Sequence, residues 1–236
     1  MPPSPYLLHV TSRPTVVSER LWIQWYTEEH VPDLVNSRTS TRATFFQEVS
    51  LPKEFRPESP GFPCKFLTLY QTDFEEGMNS EEIRHVRQGS DLFVQGGSKW
   101  DTSENGDFDI RNYKLIQDYD PNDVGEVAAS HVLTIELHPA ESNVEDFERW
   151  YREEHLPMLS KVPGYRRSHR YIIGPRTVLT TGEPPNYLAI HSFDHFNALD
   201  GPEALAGNTT PWTVKHVSES KVFIARGWKL LGSAGY

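Results

Sequence analysis

The sequence predicts an α+β chain built from two copies of one β-α-β-β-α-β unit, packed sheet to sheet into a single intrachain barrel. Three observations carry that reading. The segment WYTEEHVPDL at 25–34 returns as WYREEHLPML at 150–159, with seven of ten positions identical. Strand-like segments recur around it in the same order: LLHVTSRP (7–14) over VLTIELHP (132–139), FLTLYQTDF (66–74) over YLAIHSFDH (187–195), and RNYKL (111–115) over RGWKL (226–230). Between the copies lies DYDPNDVGEVAAS (118–130), a turn-rich polar stretch that reads as the linker. The repeats are therefore expected over 1–120 and 121–236.

Each copy opens with an alternating strand. Ser18 and Asn143 occupy equivalent places after it and are good helix N-caps. The amphipathic helix that follows is expected to stop at Pro32 or Pro157, because the residue before proline avoids the α region. A second strand is expected at about 41–47 and 165–173, then a Pro/Gly-rich loop, then a third strand at 66–72 and 187–193. A less regular helical segment holds Trp100 or Trp212, and a last strand covers 108–116 or 221–231. This order is that of the ferredoxin-like unit. One such sheet carries helices on one face only, so its other face must be covered. Leu8, Val10, Leu133, Ile135 and Leu137 share one strand face, and His9, Thr11, Thr134 and Glu136 the other. Stacking the two apolar faces closes a pseudo-symmetric barrel from one chain.

Composition narrows the function. Apolar residues make up 37% and aromatics 12% of the 236 residues, as in an ordinary globular protein. The net charge is −10, without a Lys/Arg cluster, which argues against nucleic acid or an anionic membrane as partner. No apolar run reaches the length of a membrane span, and the N-terminus lacks the basic and apolar regions of a signal peptide. A cytoplasmic location is expected. The single cysteine, Cys64, cannot close an internal disulfide and reads as a small buried or edge residue. Dinucleotide, P-loop and serine-hydrolase motifs are missing. VQGGSKW (94–100) reads as a loop. HSFDH (191–195) allows His191 and His195 to share a strand face, but no third metal ligand is indicated.

The repeated Trp/Tyr-x-x-x-His-x-Pro helix end, carried on this strand order, resembles the dimeric α+β barrel superfamily. WYTEEHVP, WYREEHLP and, less strongly, VPGYRRSHRY bring it nearest to the EthD-like branch, as a fused tandem of two domains. Fused in this way, one chain suffices, and a homodimer remains open.

A four-residue stack places Trp22, Tyr26 and His30 on one helix stripe, and Phe147, Tyr151 and His155 on its counterpart. Each histidine thus faces the sheet, either to tie the helix end down or to do chemistry. Strand parity sets His9, Thr44, Tyr70 and Tyr113 around His30, and His169, Tyr171, His191 and Trp228 around His155. Imidazoles can exchange protons near neutral pH, and a phenol can hydrogen-bond a developing enolate oxygen. The second half is richer, which favours it as the active one. The expected catalytic set is His155, His169, His191 and Tyr151, with His30 secondary. Tyr26, His9, Tyr70, Tyr171, Trp212 and Trp228 are expected to bind a hydrophobic or aromatic substrate. The resemblance implies polyketide cyclase, dehydratase, decarboxylase or isomerase chemistry without a cofactor or metal. Two alternatives stand beside it: a heme enzyme on the same barrel, since some relatives ligate heme through histidine, and a non-catalytic small-molecule binder.

Overall fold

The computed structural model describes residues 2–52 and 63–236. The first repeat contains β1 (Tyr6–Pro14), α1 (Glu19–Trp25), a π-turn (Tyr26–His30), α2 (Val31–Asn36), β2 (Arg42–Val49), β3 (Phe66–Thr72), α3 (Asp91–Gln95) and β4 (Gly106–Tyr119). The second contains β5 (His131–His138), α4 (Val144–Trp150), a π-turn (Tyr151–His155), α5 (Leu156–Leu159), β6 (Tyr165–Arg176), β7 (Tyr187–Phe193), α6 (Pro202–Asn208), α7 (Pro211–Glu219) and β8 (Val222–Ala234). The eight strands form one closed antiparallel barrel in the order β1-β3-β2-β8-β5-β7-β6-β4. Each repeat supplies four neighbouring strands, and the seams β2–β8 and β4–β6 join the two sheets at both edges.

The helices differ from expectation at the prolines. Pro32 and Pro157 do not end them; each lies inside the first turn of a continuing α-segment. A proline ring crowds the carbonyl four residues back, and here the preceding turn is widened to accommodate it. The Val31 N–H donates to the Tyr26 carbonyl, and the Leu156 N–H to the Tyr151 carbonyl, both five residues back. The wider turn brings residues five apart together: Trp25 stacks on His30 and Trp150 packs on His155, each with ring centroids 4.5 Å apart. The repeated motif is thus a π-turn signature, with tryptophan and histidine in contact across it. At the helix starts, the Ser18 hydroxyl accepts from the Leu21 N–H, whereas the Asn143 side chain donates to Glu219 instead.

The strand faces are inverted relative to the sequence reading. Leu8 and Val10 pack under the helices with Trp22 and Tyr26, and Leu133, Ile135 and Leu137 pack with Phe147, Trp150 and Tyr151. The barrel lumen holds Leu7, Phe46, Leu69, Val132 and Ile190, together with Tyr113, Tyr171 and Trp228. The physical reason lies in how each space can satisfy polar groups. Helices bring aromatic stripes that need an apolar partner, while a closed lumen lets the polar side chains of its strands pair with one another. Arg111 pairs with Asp109 and Glu136, and Arg226 with Glu48.

The far end of the lumen is plugged by the linker. Glu126 reaches in, and its carboxylate lies 2.6 Å from Arg167, 3.1 Å from the His169 ring and 2.6 Å from Gln71 Nε2. Arg42, the counterpart of Arg167 in the first repeat, lies 3.7 Å away. Burial opposes ionisation of Glu126, but hydrogen bonds from His169 and Gln71 and the field of Arg167 outweigh it and hold its pKa at about 2. Removing a charge from a buried set strands its partners, at a cost of about 3 kcal/mol or more. Glu126→Gln is therefore expected to lower unfolding stability by that order in urea titration. An unchanged midpoint would show that the linker carboxylate bears no share of barrel closure.

Candidate functional site

Among the described residues each repeat has a cleft between helices and sheet, and the two are unequal. The second-repeat cleft encloses about 420 Å3, within the range of ligand pockets. Leu133, Ile135, Leu159 and Phe223 give it apolar walls, with Trp150, Tyr151, His155 and His191 at its head and Thr213 beside them. The first-repeat cleft is smaller, about 150 Å3, and contains Trp25, Tyr26, His30 and Tyr70.

His155 and His191 converge on the larger cavity, with ring centroids 6.1 Å apart. The π-turn positions the first. Its back is held against Trp150, whose indole N–H donates to Thr213 Oγ1 at 3.1 Å. His191 comes up from β7, where Ala189, His191 and Phe193 face the helices and Leu188 and Ile190 face the lumen. His155 Nδ1 and His191 Nε2 are buried without a hydrogen-bond partner. A lone buried polar atom costs free energy, so such atoms call for a ligand or water.

Both imidazoles are neutral at physiological pH. Burial, then the nearby Arg170, lowers His155 to about pKa 4. Burial, the His155 ring and Arg170 drive His191 well below its ordinary value. Arg170 lies under the Tyr151 ring, 3.8 Å from its centroid, and makes a two-pronged ion pair with Glu148. Burial pushes the Tyr151 hydroxyl up to about 12, so it remains a phenol. In the first cleft burial lowers His30 to about 3. Its neighbour Tyr70, at the place His191 takes in the other repeat, carries a buried hydroxyl with no partner.

Several residues expected at the site lie elsewhere. His9, Thr44, Tyr113, His169, Tyr171 and Trp228 project into the lumen, on the opposite side of the sheet from the clefts. The inverted strand faces are the cause, and irregular register in β2–β8, β4–β6 and β6–β7 compounds it. His9 stands edge-on to Tyr113, His169 contacts the Glu126 plug, and the Trp228 indole donates to Thr134. Trp212 lies on α7 outside the cavity lining, where its indole donates to Asp146. Tyr26 contacts its cleft but its hydroxyl donates to Ser12. Sequence reasoning missed Ser168, Arg170 and Thr213. The first two alternate with Arg167, His169 and Tyr171 along β6, so reading the opposite parity finds them.

The lining of the larger cavity does not fit heme: among the described residues no lysine or arginine lines it to meet the propionates. Among those same residues, no group of three His, Cys, Asp or Glu could hold a metal ion, and no helix is long and apolar enough to cross a membrane.

These features define an eight-stranded, closed antiparallel α+β barrel completed within one chain. No family model matches the sequence. It is similar to core atranone cluster protein 1 of Stachybotrys chlorohalonatus, with 27% identity over 208 residues covering 80% of this chain and 82% of the relative. Its fold matches that of an anthrone oxidase-like protein (TM-score 0.54, 12% identity, 98% and 93% coverage). It also matches a provisionally assigned monooxygenase of Lactobacillus acidophilus NCFM (TM-score 0.51, 11% identity, 98% and 96% coverage). A provisionally assigned chlorite dismutase is similar in the same sense (TM-score 0.53, 9% identity, 95% and 93% coverage). At such identities the likeness speaks for the fold.

The buried neutral histidines carry a pH signature. An unfolded histidine titrates near 6.5, whereas His155 is held at about 4, and burial and two arginines hold His9 at about 3. The unfolded chain therefore binds more protons throughout the interval between. The contribution of each is complete above pH 6.5 and is lost as pH falls toward 4, with a slope of roughly 1.4 kcal/mol per pH unit for a fully buried ring. The urea midpoint should fall clearly from pH 7 to pH 5. A flat profile would mean these rings titrate in the fold as they do in the unfolded chain.

Proposed function

We propose that the chain is an enzyme that binds a hydrophobic, oxygen-bearing small molecule in the second-repeat cleft and acts on it by proton transfer. One observation carries the reading: two neutral imidazoles with unpartnered buried nitrogens, His155 Nδ1 and His191 Nε2, meet at the head of a largely apolar cavity of about 420 Å3. An apolar wall takes up a ring system, and the polar head meets its oxygen. His155 exchanges a proton with carbon or oxygen next to a carbonyl, His191 is its partner, and Tyr151 packs against His155 with centroids 5.1 Å apart to hold that end. A low pKa makes His155 a weak base in the empty cleft. The negative oxygen that develops beside it in the reaction raises its affinity for the proton at that moment.

The substrate class is a polyketide-like or other aromatic carbonyl compound, and the reaction a cyclisation, dehydration, decarboxylation or isomerisation. The relative's name places it in a core atranone cluster, which supports a role in secondary metabolism, and the repeated His-Pro helix supports the EthD-like branch. In this reading 1–120 and 121–236 are the two copies, and the second holds the working cleft while His30 and Tyr70 belong to an altered one.

His155→Ala should reduce turnover of an aromatic carbonyl substrate by about a hundredfold or more while circular dichroism stays unchanged. The pH profile of kcat/KM should be flat from neutrality down and fall as pH approaches 4, where His155 becomes charged. Thermal stabilisation by such compounds with no change in them on product analysis would decide for the non-catalytic binding reading.

A further inference from the structure

The head of the larger cleft is wired to a hydroxyl pair that the proposed chemistry has not yet used. His191 Nδ1 lies 2.7 Å from Ser168 Oγ, and Ser168 Oγ lies 2.8 Å from the Tyr165 hydroxyl. Ser168 is fully buried and sits directly across from His191 in the β6–β7 pair. The chain of contacts runs Tyr165, Ser168, His191 Nδ1, and ends at the unpartnered His191 Nε2 in the cavity.

The hydroxyl hydrogens favour one direction. A serine hydroxyl has one hydrogen and here two partners. If Tyr165 donates to Ser168, then Ser168 donates to Nδ1, and the ring hydrogen of neutral His191 must sit on Nε2. In the opposite direction Nδ1–H donates to Ser168 and Ser168 to Tyr165. That leaves the phenol hydrogen idle, since Ser168 is the only hydrogen-bond partner of the Tyr165 hydroxyl among the described residues. A phenol is also the more acidic donor and the poorer acceptor of the two hydroxyls. The first direction uses both hydroxyl hydrogens and leaves the Nε2–H of His191 turned to the cavity, where a ligand can accept it.

The repeat offers an internal control. The same helix-facing places in the first copy are held by Ser40, Ala43 and Tyr70, with Ala43 across from Tyr70 as Ser168 is from His191. There the Ser40 and Tyr70 hydroxyls are both buried without partners. Three differences thus separate the halves, and in the second half the three side chains form one connected line.

We propose that Tyr165 and Ser168 are positioning residues that hold His191 as its Nε2–H tautomer, making His191 the hydrogen-bond donor to the ligand oxygen and leaving His155 as the proton acceptor. This rests on the functional reading of the same cleft. The ligand is accordingly a compound that presents an acceptor oxygen, such as a ketone or quinone carbonyl, to His191.

The test is long-range 1H–15N NMR of 15N-histidine-labelled protein at pH 7, with His191 assigned by difference from His191→Gln. The expected result is an Nε2–H pattern for His191 in the native chain. Ser168→Ala and Tyr165→Phe should each admit the other tautomer, whereas Ser168→Thr should retain the native pattern. With an aromatic ketone substrate, Ser168→Ala should lower kcat roughly tenfold or more with KM within about twofold. A native Nδ1–H pattern, or a tautomer indifferent to Ser168→Ala, overturns the proposal. If the tautomer is as stated but His155→Ala and His191→Gln turn over substrate at the native rate, the functional reading fails and the wiring stands.

Discussion

The structure depends on edge closure. A four-stranded sheet with helices on one face has two unpaired edges and one bare face, and any of these would draw in another chain. Here both edges are consumed by the other repeat, through β2–β8 and β4–β6, and the two bare faces become the two walls of one lumen. Closure also decides where polarity can go. Groups that would be exposed on an open sheet pair with one another inside the lumen, so Arg226 and Glu136 can be buried, and Arg111 and Glu48 half-buried, without being stranded. The helix-facing side then has to be apolar, and the few polar groups left on it, His155 and His191 above all, stand out against their surroundings.

The π-turn is the local device that makes those few groups useful. In a regular helix His155 would stack below Tyr151 and lie a turn away from Trp150. The extra residue per turn brings the imidazole against the indole and turns its edge toward the cavity. Proline two residues on keeps the turn wide by denying the helix a tight ladder. Conformation and ring placement are therefore set by one short piece of sequence, which explains why the same piece occurs in both halves even though their clefts differ.

Much of the fold was legible because duplication is a strong signal. Two weak readings of each strand reinforce one another, and β3 and β7 fall at the expected residues. What was not legible was the side of the sheet. Period-two alternation separates faces but does not name them, and the sequence reading assigned the apolar face to the lumen when the helices take it. That single inversion moved His9, His169, Tyr171 and Trp228 out of the cleft and hid Ser168 and Arg170. His155 lines the cleft because it sits on a helix, and His191 because β7 was read with the right parity. The π-turn was invisible since Trp22, Tyr26 and His30 already make a satisfactory α-helical stripe.

The linker is more than a tether, because Glu126 completes the buried charge set at one mouth of the lumen. A barrel assembled from two separate chains comes apart on dilution, since association is bimolecular. Here the second sheet is present at an effective concentration fixed by a short covalent span. The architecture is thus insensitive to how much protein the cell makes. Its halves are also free to diverge, as a residue changed in one copy is not forced on the other.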